Sequence, residues 1–205
     1  MADYFKDKAQ DWDKGDIRKS TPFAIAEAIK KKFELNANMK IMDFGVGTGL
    51  LGFLIAKDVK KVFGVDMSPS MLAKLKEKNT PELSIEAVEQ DIVKEPLNDI
   101  FDGIVSSMTL HHVEDLEAFF KSIYKNLDEN GFLAIADLEK EDGTFHSDNT
   151  GVYHYGFDEK ELCDVVKKCG FKDVSFDSIA TINKPQRDFG VFLLSAKKIE
   201  ECCPS

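Results

Sequence analysis

The chain of 205 residues carries a formal net charge of −10 and a sequence pI near 4.9. That length suits one domain with a sizeable core, and the acidic balance disfavours nucleic acid or an anionic membrane as partner, since either would need a basic patch. No stretch reaches the roughly 20 apolar residues of a membrane span, the start MADYFKDKAQDWD is too polar for a secretory signal, and Cys163, Cys169, Cys202 and Cys203 fit no common zinc spacing, so a reduced cytoplasmic setting without a metal is expected.

In chain order, a polar leader is followed by a helix in which Thr21 caps, Pro22 takes the first position, and Ile25, Ile29 and Phe33 share one face. A strand over 40–44 runs into the glycine loop, and Leu50, Leu51, Leu54 and Ile55 continue as a helix. Residues 62–66 form a second strand, and Ser68-Pro69 opens a helix carrying Met71, Leu72 and Leu75. Leu83, Ile85 and Ala87 alternate as a third strand, and 101–107 makes a fourth. Leu116, Phe119, Phe120, Ile123 and Leu127 trace a helix that ends before Asn130-Gly131, and 132–137 is a fifth strand. Asp158 and Glu161 start a further helix that Gly170 stops. Two closing strands, 174–182 and 189–196, have no helix between them and should pair antiparallel. The alternation predicts one α/β domain over 1–205, a doubly wound and mostly parallel sheet with helices on both faces.

In such sheets ligands bind beyond the carboxyl ends of the strands. Polar residues fall there in step: Asp43 and the glycines after strand one, Asp66 at the end of strand two, Gln90-Asp91 after strand three, and Ser106-Ser107 ending strand four. Gly45, Gly47 and Gly49 let the backbone turn and let a ligand approach without Cβ atoms in the way. The segment GTGLLG, 47–52, formally matches the G-x-G-x-x-G dinucleotide fingerprint. Asp43 argues against that reading. Beside a pyrophosphate it adds repulsion where N–H donors are needed, whereas opposite a cation an acceptor-only carboxylate is favourable. S-adenosylmethionine, with an ammonium, a sulfonium and no phosphate, fits; Asp43 could equally serve the N–H groups of the loop, and the two roles are compatible. Asp66 suits two ribose hydroxyls, Asp91 an adenine amino group with Ile92 over a ring face; Asp91 could instead cap its own loop.

The ordered set DFGVGTG (43–49), VFGVDMS (62–68), EQDI (89–92), FDGIVSSMTLHHVED (101–115) and NGFLAIAD (130–137) resembles the class I S-adenosylmethionine-dependent methyltransferases, particularly the small ubiquinone/menaquinone-biosynthesis type. The resemblance implies a Rossmann-like sheet of seven strands with the last antiparallel, S-adenosyl-L-homocysteine as product, and a small-molecule methyl acceptor. It places Asp43, Gly45 and Gly47 around the methionine part of the cofactor, Asp66 on the ribose, Met67, Asp91 and Ile92 at the adenine, and Ser107 at the methionine end. A leader and helix over 1–36 would cover the cofactor, with Trp12 and Arg18 facing it.

Methyl transfer gains much from alignment alone, about 7–11 kcal/mol for well-oriented pairs. A base is needed only if the acceptor must lose a proton. The candidates for one are His111, His112, Asp137, His146 and His154, and the stretch 138–157, rich in aromatic and polar residues, is a candidate substrate lid in which Tyr153 and Tyr155 also stand. Alternatives are a non-catalytic S-adenosylmethionine-binding regulatory module, a methyltransferase with a protein acceptor, and an NAD-dependent oxidoreductase, which Asp43 disfavours. Oligomeric state leaves no sequence signal.

Overall fold

A computed structural model describes residues 12–13, 16–185 and 187–199, and for 16–19 the backbone path alone. Seven strands form one sheet in the order β3-β2-β1-β4-β5-β7-β6. They are β1 (Lys40–Phe44), β2 (Lys61–Asp66), β3 (Ile85–Glu89), β4 (Phe101–Ser107), β5 (Leu127–Leu138), β6 (Lys172–Asn183) and β7 (Asp188–Lys197). β1 pairs parallel with β2 and β4, β2 with β3, and β4 with β5. β7 runs antiparallel between β5 and β6. The expected Rossmann-like sheet with one reversed strand is therefore present, and the short link between β6 and β7 explains the reversal, since a parallel return needs a longer crossover.

The helices are α1 (Asp16–Lys32), α2 (Gly52–Ile55), α3 (Pro69–Lys78), α4 (Leu116–Asn126) and α5 (Glu159–Lys168), with a 3-10 turn over Leu110–His112. They cover two faces. Ile25 and Ile29 of α1, Ile55 of α2 and Leu72 and Leu75 of α3 pack with Ile41, Val62, Val105 and Ala134. Phe119, Phe120 and Ile123 of α4 and Leu162 and Val166 of α5 pack with Met42, Phe63, Ile104 and Leu133. Successive strand residues thus enter opposite layers, as the two-residue strand period demands. Asp43 consequently shares the α1–α3 face with Ile41, and Asp137 shares the α4–α5 face with Leu133 and Ile135.

Three boundaries differ from the sequence reading. α1 begins at Asp16, so Pro22 lies inside it and Thr21 is a buried helical residue rather than its cap. A helical proline forfeits one backbone hydrogen bond, and the apolar face of Ile25 and Ile29 sustains the helix around that loss. α2 is four residues long because the glycine turn persists to Leu51. β5 begins at Leu127, which pairs with Phe101 across a register shift, so the polar run before Phe132 is strand and not loop. Where side chains cap, they do so as expected: Ser68 accepts from the Met71 N–H, and Asp158 from the Glu161 N–H.

Candidate active site

The loop from Phe44 to Gly52 folds over the carboxyl end of β1. The N–H groups of Gly45 and Val46 both donate to the Val65 carbonyl, at 2.8 and 3.1 Å. Gly45 takes φ +65°, and a Cβ there would stand 2.1 Å from Thr109 Cγ2, so only glycine brings this turn against the β4 loop. Gly47, at φ +53°, has no atom of the described residues within 4 Å of the place a Cβ would take. Its exposed edge is the open side of the loop.

Asp43 lies under this loop, 1% exposed. Among the described residues its Oδ2 has no hydrogen-bond partner. Burial, reinforced by the nearby Asp66 charge, pushes the Asp43 pKa well above the carboxylate range, and a hydrogen bond from the Gly52 N–H pulls the other way. Asp66 accepts from the Gly47 N–H through Oδ2 at 2.8 Å and from the Ser68 N–H through Oδ1 at 2.9 Å. The end of β4 is tied to β1 by the Ser106 hydroxyl, which donates to the Phe44 carbonyl at 2.7 Å. Ser107 and half-exposed Met67 stand at the rim of the same end of the sheet.

Other candidate residues sit less openly. Asp91 accepts from the N–H groups of Val93 and Lys94 and pairs with the Lys94 ammonium at 2.7 Å, the loop-capping arrangement. Ile92 is 1% exposed and packs in the α4 layer, and its carbonyl accepts from the Ser122 hydroxyl. Trp12 is half-buried in a turn, while the side chain of Arg18 lies outside the described residues. Beside Trp12, Asp13 accepts from the Thr48 hydroxyl at 2.5 Å and pairs with Lys78 at 2.5 Å; Lys78 also donates to the Thr48 carbonyl at 2.7 Å. Sequence reasoning missed this bond between leader, glycine loop and α3, and the only local hint was a hydroxyl residue set among the glycines.

Beyond β4 and β5 a second polar group forms. His111 Nδ1 lies 2.8 Å from Asp137 Oδ1, with 2% and 0% of their side chains exposed. The His112 and His146 rings lie 4.2 and 4.9 Å from the His111 ring. His154 is turned elsewhere, its Nε2 2.8 Å from the Val113 carbonyl and its ring against Phe157. Tyr153 and Tyr155 are exposed. Across 138–157 the chain leaves the sheet and returns: Glu139 bridges to Phe157 at its base, and Glu141 accepts from the N–H groups of Gly143, Thr144 and Phe145. The Lys184 ammonium sits 3.8 Å above the Phe145 ring.

An open, doubly wound sheet with a glycine turn and acids at its carboxyl edge defines a Rossmann-like fold. Residues 42–135 match the family model described as a methyltransferase domain. An uncharacterised methyltransferase of Schizosaccharomyces pombe is 30% identical over 178 residues, covering 78% of this chain and 61% of that protein. A ubiquinone biosynthesis O-methyltransferase of Pelagibacter ubique is 30% identical over 125 residues, covering 57% of this chain and 51% of that one. Among solved structures, a Haemonchus contortus phosphoethanolamine N-methyltransferase complexed with phosphomonomethylethanolamine and S-adenosylhomocysteine superposes with a TM-score of 0.67 at 19% identity, covering 85% of this chain and 52% of that chain. This chain thus spans about half to six-tenths of the length of these relatives. Residues 42–135 thus carry a methyltransferase domain, and the chain is similar to the class I S-adenosylmethionine-dependent methyltransferases. The site fits the cofactor of these relatives: among the described residues Asp43 Oδ2 is buried without a partner and would be satisfied by a cation, and the Gly47 face of the same loop is open. Among the described residues no helix is long and apolar enough to cross a membrane.

Proposed function

We propose that the chain transfers the methyl group of S-adenosylmethionine to a small-molecule acceptor. The observation that carries this reading is Asp43, whose buried, unpartnered Oδ2 sits under the glycine turn and would be satisfied by the cationic methionine end of the cofactor. When bound, the cofactor supplies a methyl group activated by its sulfonium. In this reading Gly47 admits it to the loop, and Gly45 and Gly49, where a Cβ would strike Thr109 and Phe53, hold the turn for it. Asp66, oriented by the Gly47 and Ser68 N–H groups, accepts from the ribose hydroxyls. Met67, Asp91 and Ile92 flank the adenine, Ser107 the methionine end, and Trp12 and Arg18 belong to the leader that covers them. The stretch 138–157 forms the acceptor side of a single domain. Cys163 and Cys169, both unbridged, accord with a reducing cytoplasmic setting.

Titration calorimetry with S-adenosylmethionine, S-adenosylhomocysteine and NADH tests the cofactor. Binding of the first two and not the third is expected; preference for NADH would overturn the reading. Methyl-labelled S-adenosylmethionine, incubated with protein and a small-molecule extract of the source cells, tests turnover. Labelled small products are expected, and binding without any labelled product would instead make the chain a cofactor-binding regulatory module.

A further inference from the structure

Asp137 is wholly buried, yet its carboxylate is fully engaged. Oδ1 accepts from His111 Nδ1 at 2.8 Å and from the Leu138 N–H at 2.7 Å, and Oδ2 accepts from the His111 backbone N–H at 3.1 Å. With these donors and the His111 charge nearby, the pKa of Asp137 falls below the usual range although burial alone would raise it. An ionised carboxylate only accepts, so the proton of a neutral His111 is placed on Nδ1 and the lone pair on Nε2. With Nδ1 on Asp137, Nε2 is the ring nitrogen turned away from the carboxylate.

A histidine serving packing alone would have its buried polar atoms paired. Close by, among the described residues, Nε2 of His146 is buried without a partner. An unpaired buried ring nitrogen beside the His111 ring, 4.9 Å between centroids, marks a place for a polar ligand. The place is also connected to the cofactor loop, because Thr109, two residues before His111, donates to the Gly45 carbonyl at 3.3 Å. His146 is held over His111 by the stretch that Lys184 fastens through Phe145. Burial, with the charges of His111, His112 and Lys184 added, lowers the His146 pKa to about 4, so near neutral pH its ring is uncharged, with one N–H and one lone pair.

We propose that His111 is the catalytic base of the methyl transfer, with Asp137 as its positioning residue, and that the acceptor atom is therefore protic: a hydroxyl, a phenol or a protonated amine. This rests on the methyltransferase reading above. As the acceptor X–H bond breaks, its electron pair stays on X to form the bond to the methyl carbon, and the proton passes to His111 Nε2. The sulfonium's S–C electron pair leaves with the sulfur. The imidazolium is then held against the Asp137 carboxylate.

The groups facing His111 are Asp137 on β5, Glu141 and His146 on the 138–157 stretch, and His112 on its own turn. Burial depresses the His111 pKa, but Asp137, aided by Glu141, outweighs it and leaves the value above the ordinary one. The labelled-methyl assay with the same extract, run from pH 5.5 to 9.5, gives the test. The wild-type rate should rise with pH through a midpoint above about 6.5. His111→Asn preserves an N–H toward Asp137 but offers no base; it should lose about 100-fold or more in rate, regain part of it when imidazole is added, and keep wild-type affinity for S-adenosylhomocysteine. NMR titration of ring-labelled histidine in the free protein should place the His111 midpoint above 6.5 and move it down in Asp137→Asn. A folded His111→Asn protein within threefold of the wild-type rate, a flat pH profile, or a lost rate that imidazole does not restore would overturn the role alone. Absence of labelled product from the wild type would refute the methyltransferase reading and this role with it.

Discussion

Replacing Asp43 with asparagine should make the protein more stable and a poorer binder, and the two effects have one cause. The native carboxyl is buried with an unpartnered oxygen, and its pKa stands well above the range of an unfolded chain. Between those two values the unfolded state has lost its proton and the native state has kept it, so wild-type stability falls as pH rises. The slope is about 1.4 kcal/mol per pH unit for one group. Asparagine does not titrate, so its advantage should be absent near pH 4 and grow with pH. For a chain of this size that is roughly 3–6 °C in Tm per pH unit until the native carboxyl ionises. Binding responds in the opposite sense. A hydrogen bond to a charged group contributes about 1.5–3 kcal/mol, so affinity for S-adenosylmethionine should fall about 10- to 150-fold. Wild-type binding should release a proton, because a cation favours the ionised carboxylate, and asparagine should abolish that release. Thermal melts from pH 4 to 8 and calorimetry in buffers of different ionisation enthalpy read both effects. An Asp43→Asn protein that melts no higher than wild type at pH 8, while binding S-adenosylmethionine as tightly, would refute the argument.

Two glycines of the same loop should separate fold from binding. Gly45→Ala meets Thr109 at 2.1 Å as well as an unfavourable φ, and should cost about 2–5 kcal/mol of stability. Gly47→Ala meets no atom within 4 Å and should cost only the backbone strain, about 1–2 kcal/mol, while its methyl group blocks the open face and removes binding of S-adenosylhomocysteine; urea unfolding and calorimetry distinguish them. Asp137→Asn should lower stability by about 3–5 kcal/mol where both members of the pair are charged. The lowered Asp137 pKa makes its contribution present above about pH 4 and lost as acid protonates it, whereas the raised His111 pKa makes its contribution full below about pH 6.5 and lost as pH climbs through the native value. The Tm difference from wild type should therefore peak between about pH 4 and 6.5, and a difference that stays constant from pH 3 to 9 would contradict the pairing.

The alternation of elements was legible because each strand and helix shows its own apolar period, and the reversed strand was legible because too little chain separates residues 182 and 189 for a crossover. What escaped were features without a side-chain pattern. The polar run from Asp128 to Gly131 joins β5 through backbone pairing that begins with Phe101 opposite Leu127. Pro22 reads as a helix start, although the helix passes through it. At the candidate site, the acids at the ends of β1 and β2 were legible because polar residues fall in step at successive strand ends. The pairing of His111 with Asp137 was not, since it depends on the β4–β5 register that sets Ser107 opposite Ala136. Asp137 did carry a signal: it interrupts the apolar run FLAIAD at a core-facing position, where a buried acid must find a donor. Nothing local tells which donor, 26 residues away, that will be.

The two buried acids are treated in opposite ways, and the contrast orders the chemistry. Asp137, on the α4–α5 face, is given every donor it needs from within the chain, so its charge is permanent and its influence is spent on one imidazole. Asp43, on the α1–α3 face, is left with an oxygen unsatisfied and a second acid, Asp66, close enough to raise its pKa. A fold could have removed that strain with one lysine, as Lys94 does for Asp91. On the function proposed above, that oxygen is left for a charge that arrives from outside, and binding would relieve a destabilising group of the free protein. The proton-accepting group, by contrast, must be ready before the acceptor enters, because a base that waited for its own partner would meet the acceptor in the wrong tautomer. One acid is thus completed by ligand and the other by sequence, which is why removing the charge of Asp43 should raise stability and removing that of Asp137 should lower it.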